Sequence, residues 1–295
     1  MIGGRCGKRQ AIFRRRIIRV LCWRIISMSK FNFGICLAAL RTYVRNIKGR
    51  KFEPEIKFLK NIIIEGNNCL HIGASDARHS YIMSALIGNN GQVYAFEPSS
   101  YSYGHLALMV KLHRLKNVST YHLAVSDKAG SVCLVTPQKS TGHAGRSFAF
   151  IAGLESTNIK RTDIESDKAT KEEVASVSID DFVSENNIDG IDFIRCDTEG
   201  SEMLILKGAS KTLEKTRPNL LIEIHSNALK DVFNSSAKEV SGFLLDLGYH
   251  MFREDEGNIQ QVNEVDESEN WKDYFFVHPD RIKSLPEGPF QKILA

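Results

Sequence analysis

The chain predicts an α/β fold: a doubly wound, mostly parallel sheet of seven strands with an antiparallel edge strand. Three observations carry that expectation. Short apolar runs alternate with helix-like stretches from residue 69 onward, the pattern of a parallel sheet covered by helices. The first run ends in the small-residue turn Gly73-Ala74-Ser75 before a helix, and the next ends in Glu97, as in half of a nucleotide-binding βαβ unit. The last two apolar runs are separated only by a turn-rich stretch, which fits an antiparallel pair.

The elements follow in order. Phe33, Leu37, Leu40, Val44 and Ile47 recur at helical spacing, so a helix is expected over 31–50. Glu53-Pro54 opens the globular domain with a helix around Ile56 to Ile64. Strand Cys69–Gly73, helix Ala77–Ile87, strand Gln92–Phe96 and helix Tyr101–Leu115 come next. Strand Val118–Val125 returns through Asp127-Lys128-Ala129-Gly130 into Ser131–Val135, hairpin fashion. Residues 137–172, rich in Ser, Thr, Gly, Lys and Asp, read as a long loop with a short element at Phe148–Ile151. Helix Ile179–Glu185, capped by Ser178 or Asp180, restores the rhythm. Strand Ile191–Cys196, helix Glu202–Leu206, strand Leu220–Ile224 and helix Ser236–Leu247 continue it. Strands His250–Arg253 and Tyr274–Val277 close the sheet across a polar hairpin.

Charge divides the chain. Of the 39 basic residues 14 lie in the first 51, which hold no Asp or Glu, leaving 25 basic against 35 acidic residues in the remainder. Residues 1–52 are therefore read as a basic, partly helical extension and 53–295 as the domain. Residues 9–24 interleave Arg14, Arg15, Arg16, Arg19 and Arg24 with Ile, Leu and Trp23, a composition suited to peripheral contact with anionic membrane or to a solvated tail. Arg19 and Arg24 interrupt any secretory signal, and the apolar run Phe31 to Leu40 is half the length a spanning helix needs. Six cysteines without a C-x-x-C pair fit a reducing, cytoplasmic compartment. The location at the inner face of the membrane is the alternative.

Ligands of such sheets bind beyond the carboxyl ends of the strands. That rim offers His71 to Asp76, Glu97-Pro98, Ser126-Asp127, then Asp197-Thr198-Glu199-Gly200, and finally Glu223 and His225. Gly73, Ala74 and Ser75 let backbone approach a ligand, and Glu97 is set to accept two ribose hydroxyls. A dinucleotide would want a second glycine facing its pyrophosphate; this turn has Asp76 instead, which repels phosphate. A nucleoside cofactor with an amino-acid end suits it better, and that favours S-adenosyl-L-methionine.

The segments HIGAS, VYAFEP, AVSDKAG, SIDDF, IDFIRCDTEGSE and LLIEIH, running from about Cys69 to Phe276, resemble the FkbM family of S-adenosylmethionine-dependent methyltransferases. The resemblance implies a Rossmann-like class I methyltransferase. It implies that Gly73, Ala74 and Ser75 hold the methionine end, Glu97 and Pro98 flank the ribose, and Ser126 and Asp127 approach the adenine. Asp197 would sit near the methyl donor, with Glu199 and His225 on the acceptor side, and all three are candidate bases. Two departures stand out: His71 where the family usually has an acid, and Ala77 as the third small residue of the turn. O-methylation of a sugar, glycan or secondary metabolite is the implied activity, by a metal-free route in preference to one with a divalent cation. The long loop, with Gly142, Gly145 and Arg146, would be a lid. A nucleic-acid methyltransferase, suggested by the basic extension, lacks the N/D-P-P-Y/F type of motif and has DTEG there instead. A catalytically inactive membrane-surface or scaffold protein is the third reading.

Overall fold

Five parallel strands form the centre of the protein. The computed structural model describes residues 33–47, 53–137, 149–152 and 169–294. Helix α1 (Phe33–Ile47) comes first, followed by a 3-10 helix over Pro54–Asn61 where a longer α-helix to Ile64 was expected. The pattern then runs β1 (Asn68–Ile72), α2 (Arg78–Ile87), β2 (Gln92–Phe96), α3 (Ser100–His113) and β3 (Val118–Tyr121). Ser99 caps α3 by accepting from the Ser102 N–H, and Arg114 in a left-handed conformation ends it.

The expected strand Val118–Val125 is two strands. After Tyr121 the chain leaves the main sheet, and β4 (Ala124–Val125) pairs elsewhere. A second sheet follows from β5 (Gly130–Pro137), β6 (Phe150–Ala152) and β7 (Ala169–Val177), in the order β4-β7-β5-β6. The stretch 137–172 is thus not one loop: Ala169 pairs with Pro137 and Glu172 with Leu134 in an antiparallel ladder. The first half of β7 faces solvent and carries Thr170, Lys171, Glu172 and Glu173, so its composition reads as loop. The expected lid residues Gly142, Gly145 and Arg146 lie outside the described residues, as does the basic segment 9–24.

Helix α4 (Ile179–Glu185) is capped by Ser178, which accepts from the Asp181 N–H. Asp180 serves a different helix: its carboxylate accepts from the N–H groups of Lys211 and Thr212 at the start of α6. The remaining elements are β8 (Phe193–Cys196), α5 (Glu202–Lys207), α6 (Ser210–Thr216), β9 (Asn219–His225), α7 (Ser226–Phe233) and α8 (Ala237–Asp246). The chain closes with β10 (His250–Asp255), β11 (Asn258–Val262), β12 (Trp271–Val277), a 3-10 helix over Pro279–Ser284 and α9 (Pro289–Leu294).

The main sheet has the order β11-β10-β12-β9-β8-β1-β2-β3. Strands β3, β2, β1, β8 and β9 are parallel, and β12 runs antiparallel between β9 and β10. The α/β class and antiparallel edge stand, with eight strands rather than seven. The added strand is β11, hidden in the polar hairpin. Glu256 and Gly257, at φ +45° and +91°, make the two-residue turn that folds it onto β10.

Side chains alternate across this sheet. Leu221 joins Leu59, Met83, Leu106 and Met109 on one face, while Leu220 and Ile222 join Phe182, Ile205 and Leu244 on the other. Helices cover both faces, as a parallel sheet requires. Helix α1 lies on α3, with Ile35, Ala39 and Thr42 buried and the Tyr43 ring 4.6 Å from that of His113. No helix among the described residues is long and apolar enough to cross a membrane.

Candidate active site

At the carboxyl end of β1 the backbone turns through left-handed conformations at Gly73 (φ +78°), Ser75 (φ +34°) and Ala77 (φ +64°). The Gly73 and Ala74 N–H groups donate to the Phe96 carbonyl, which fastens the turn to β2. A Cβ on Gly73 would lie 1.8 Å from the main-chain oxygen of Asp197. The missing side chain thus makes room for the neighbouring strand end. Glu97 closes the turn from the β2 side. Its Oε2 accepts from the Ser75 N–H and its Oε1 from the Ser99 N–H, both at 2.9 Å. Burial pushes this carboxyl up to about 7, against the pull of those two N–H groups.

His71 is buried, with Nδ1 2.6 Å from the Ser80 hydroxyl. Burial, with His79 next, holds it well below the usual histidine range, so it stays neutral and is no replacement for an acid. Pro98 lines the cleft, and its carbonyl accepts from His122. Ser126 and Asp127 do not line it. They pack against Gly208 at the end of α5, where a Cβ would meet the Ser126 oxygen at 2.2 Å. The structure thus does not bring the pair expected near adenine into the cleft. The apolar wall consists of Ile72, Phe96, Leu123 and Val125, roofed by Leu134 and Ile151 of the second sheet. The cleft encloses about 440 Å³, within the range of small-molecule sites.

The opposite rim is built from the ends of β8, β9 and β12 around Arg195, which is 2% exposed. Its guanidinium donates to Asp273 (2.5 Å) and Glu223 (3.0 Å) and approaches Asp197 (3.4 Å). His225 adds a second cation, with Nδ1 3.4 Å from Glu199 and Nε2 3.4 Å from Glu223 and 3.7 Å from Asp197. Burial disfavours the charged imidazole, but Asp197, Glu223 and Glu199 outweigh it and keep His225 protonated. Burial likewise works against ionised Asp197, yet the His225 hydrogen bond and the Arg195 charge hold it below the ordinary carboxylate range. Glu223, desolvated and beside Asp197, is raised to about 7.

The turn after β8 is held from within. Fully buried Glu202 accepts from the Gly200 N–H (2.9 Å) and the Thr198 hydroxyl (3.3 Å). That fixes Glu199 at φ +56° with its carboxylate toward His225. The structure thus gathers Asp197, Glu199 and His225 with Glu223 of the expected rim, and adds Arg195 and Asp273. Arg195 was detectable: it is the one strong charge inside the apolar run Phe193–Cys196. Asp273 and the 58%-exposed Trp271 at the mouth had no such signal, because β12 begins three residues before the apolar run does.

A parallel sheet with β12 reversed beside β9, and a cleft between a Gly73–Glu97 cradle and a carboxylate rim, defines a Rossmann-like class I methyltransferase fold. The methyltransferase FkbM domain matches residues 71–251, and the chain belongs to that S-adenosylmethionine-dependent family. Among solved structures, methyltransferase FkbM from Methylobacillus flagellatus KT is similar at 15% identity, covering 72% of this chain and 43% of its own, with a TM-score of 0.43. This chain thus spans less than half of that protein's length. Fibrillarin from Aeropyrum pernix, in complex with natively bound S-adenosyl-L-methionine, is 14% identical over 75% of this chain and 72% of its own, with a TM-score of 0.40. A SAM-dependent O-methyltransferase from Thermotoga maritima is 9% identical over 80% and 71%, with a TM-score of 0.38. No curated protein sequence matches the chain.

Proposed function

We propose that the protein transfers a methyl group from S-adenosylmethionine to a hydroxyl of a sugar, glycan or other small metabolite. One observation carries the reading: the Gly73–Glu97 cradle and the ionised Asp197 rim face each other across one cleft. The donor set fits the cofactor. Glu97 keeps lone pairs for ribose hydroxyls beyond the two N–H groups it already accepts. Leu123, Val125 and Phe96 offer an apolar berth for adenine in place of Ser126 and Asp127. Asp76 and Glu97 disfavour phosphate, so a nucleoside without phosphates is the better match.

S-adenosylmethionine supplies an electrophilic methyl on a cationic sulfur, so the protein's task is to align a nucleophile and take up its proton. Asp197, the most exposed carboxylate of the rim, is suited to accept the acceptor hydroxyl's hydrogen bond. The proton comes to rest on Glu223, whose pKa of about 7 matches a general base at neutral pH. His225 is already protonated, so it orients Asp197, Glu199 and Glu223 rather than acting as the base. Arg195 prevents these carboxylates from repelling one another. Trp271, exposed at the mouth, is suited to stack on a ring-shaped acceptor. An acidic rim repels a polyanion, which favours a neutral acceptor over nucleic acid.

Transfer of labelled methyl from S-adenosylmethionine to a panel of sugars and cell-extract metabolites tests the reading. Asp197→Asn is expected to keep cofactor affinity and lose turnover at least a hundredfold, of the order general acid–base groups contribute. Unchanged turnover would move the chemistry off this rim.

A further inference from the structure

Three unpartnered atoms converge where the chain enters the domain. Glu53 is the N-cap of the 3-10 helix and Glu55 lies in its first turn. His79, the second residue of α2, faces both. Glu53 Oε2, Glu55 Oε1 and His79 Nε2 are each buried without a hydrogen-bond partner. Yet they point at one another: His79 Nε2 is 3.5 Å from Glu55 and 3.9 Å from Glu53, and all three lie within 4.8 Å. Glu55 and His79 are only 4% and 6% exposed. Buried polar atoms are almost always satisfied, so three orphans facing one point call for a ligand.

Charge narrows the choice. Arg78 is shared by Asp76 (2.7 Å) and the other oxygen of Glu53. Three carboxylates against one guanidinium leave two negative charges. Arg195 also acts on Glu53 and Glu55, but it is already engaged by Asp197, Glu223 and Asp273. We propose that Glu53, Glu55 and His79 form a binding site for a divalent transition cation of the zinc type, with a fourth position facing the cleft.

The spacing suits such an ion. Ligand atoms at zinc distances in a tetrahedron lie about 3.4 Å apart, close to the separations His79 already shows. One imidazole with two carboxylates selects zinc, cobalt or manganese over calcium or magnesium, which prefer oxygen alone. Asp197, Glu223 and His225 are also within ligand reach of one another. There the Arg195 guanidinium lies on both carboxylates and supplies the positive charge, so that cluster needs no ion. At the proposed site the ion would tie the 3-10 helix to the start of α2. Glu53 and His79 both line the cleft, so it would brace the wall beside the Gly73 turn.

Full-length protein stripped by a chelator and titrated with cobalt(II) tests the site. The expected result is one cobalt per chain with the intense visible absorption of four-coordinate ligation, displaced by zinc. Zinc alone should raise the thermal midpoint of the stripped wild type. Both signals should vanish in His79→Ala and in the shape-preserving Glu55→Gln, checked for folding by circular dichroism, and persist in Asp197→Asn. No cobalt spectrum and no zinc shift in the wild type would overturn the proposal. So would binding that survives Glu55→Gln and His79→Ala but is lost in Asp197→Asn.

Discussion

Glu97 carries the clearest pH signature in the protein. Its folded pKa of about 7 lies above the ordinary 4.5, so the native state holds a proton that the unfolded chain has released. Its contribution to stability is therefore fully present below pH 4.5 and is lost as pH rises through 7, a change of about 3 kcal/mol. Glu97→Gln should flatten that decline, read by urea unfolding at pH 5 and pH 8; an unaltered slope would assign it to Glu223 or Asp273. Cofactor binding should run the opposite way. If the proposed ribose contact holds, its hydroxyls donate to the ionised carboxylate, so affinity for S-adenosylmethionine should rise as pH passes 7, with proton release visible in calorimetry across buffers. At pH 8, Glu97→Ala should weaken binding at least tenfold, about 1.4 kcal/mol. Wild-type affinity would remove the ribose assignment. Glu97 could be found from sequence because a carboxylate at the tip of a strand before Pro98 is a local signal. Glu223 stood at a strand end too, but its raised pKa comes from burial and from Asp197 and Asp273, against the pull of His225, and these groups meet only in space.

At the scale of elements, the turn between β8 and α5 shows how a motif stores geometry. Glu202 gives its carboxylate to the Gly200 N–H and the Thr198 hydroxyl, so it shapes the turn that presents Asp197 and Glu199. Glu202→Ala should cost about 2–3 kcal/mol in chemical denaturation, the worth of buried hydrogen bonds to a charged group. A loss below 0.5 kcal/mol would make the motif's last residue dispensable to the fold. The strands of the main sheet were legible because each is an apolar run between turn residues. In the second sheet β5 and a short element near β6 were legible, but β4 and β7 were not. Strand β7 is polar on its exposed side, and β4 is two residues long and follows β3 with no turn residue between them, so neither composition nor period marks the change of sheet. Helices α6 and α7 escaped for another reason: each is short and buries only two adjacent residues, Thr212-Leu213 and Ala228-Leu229, so no i, i+3 spacing marks it.

Across the whole molecule, three separate stretches meet over one cleft. The main sheet provides its floor, the second sheet its roof through Leu134 and Ile151, and the segment before β1 its wall through Glu53. Helix α1 belongs to the basic extension by charge but packs on α3 through Ile35 and Ala39. A chain starting at residue 53 should therefore melt about 5 °C below one starting at residue 31, roughly 2 kcal/mol of lost apolar burial. Equal midpoints in calorimetry would show that α1 adds nothing to the domain. The contact of Gly73 with the Asp197 backbone bears on how such a protein can be rebuilt. The loop after β1, grafted alone into another sheet of this type, would arrive with its neighbour at the wrong height. The loop after β1 and the strand end at β8 form one transplantable unit, and Gly73 is the seam that keeps them together.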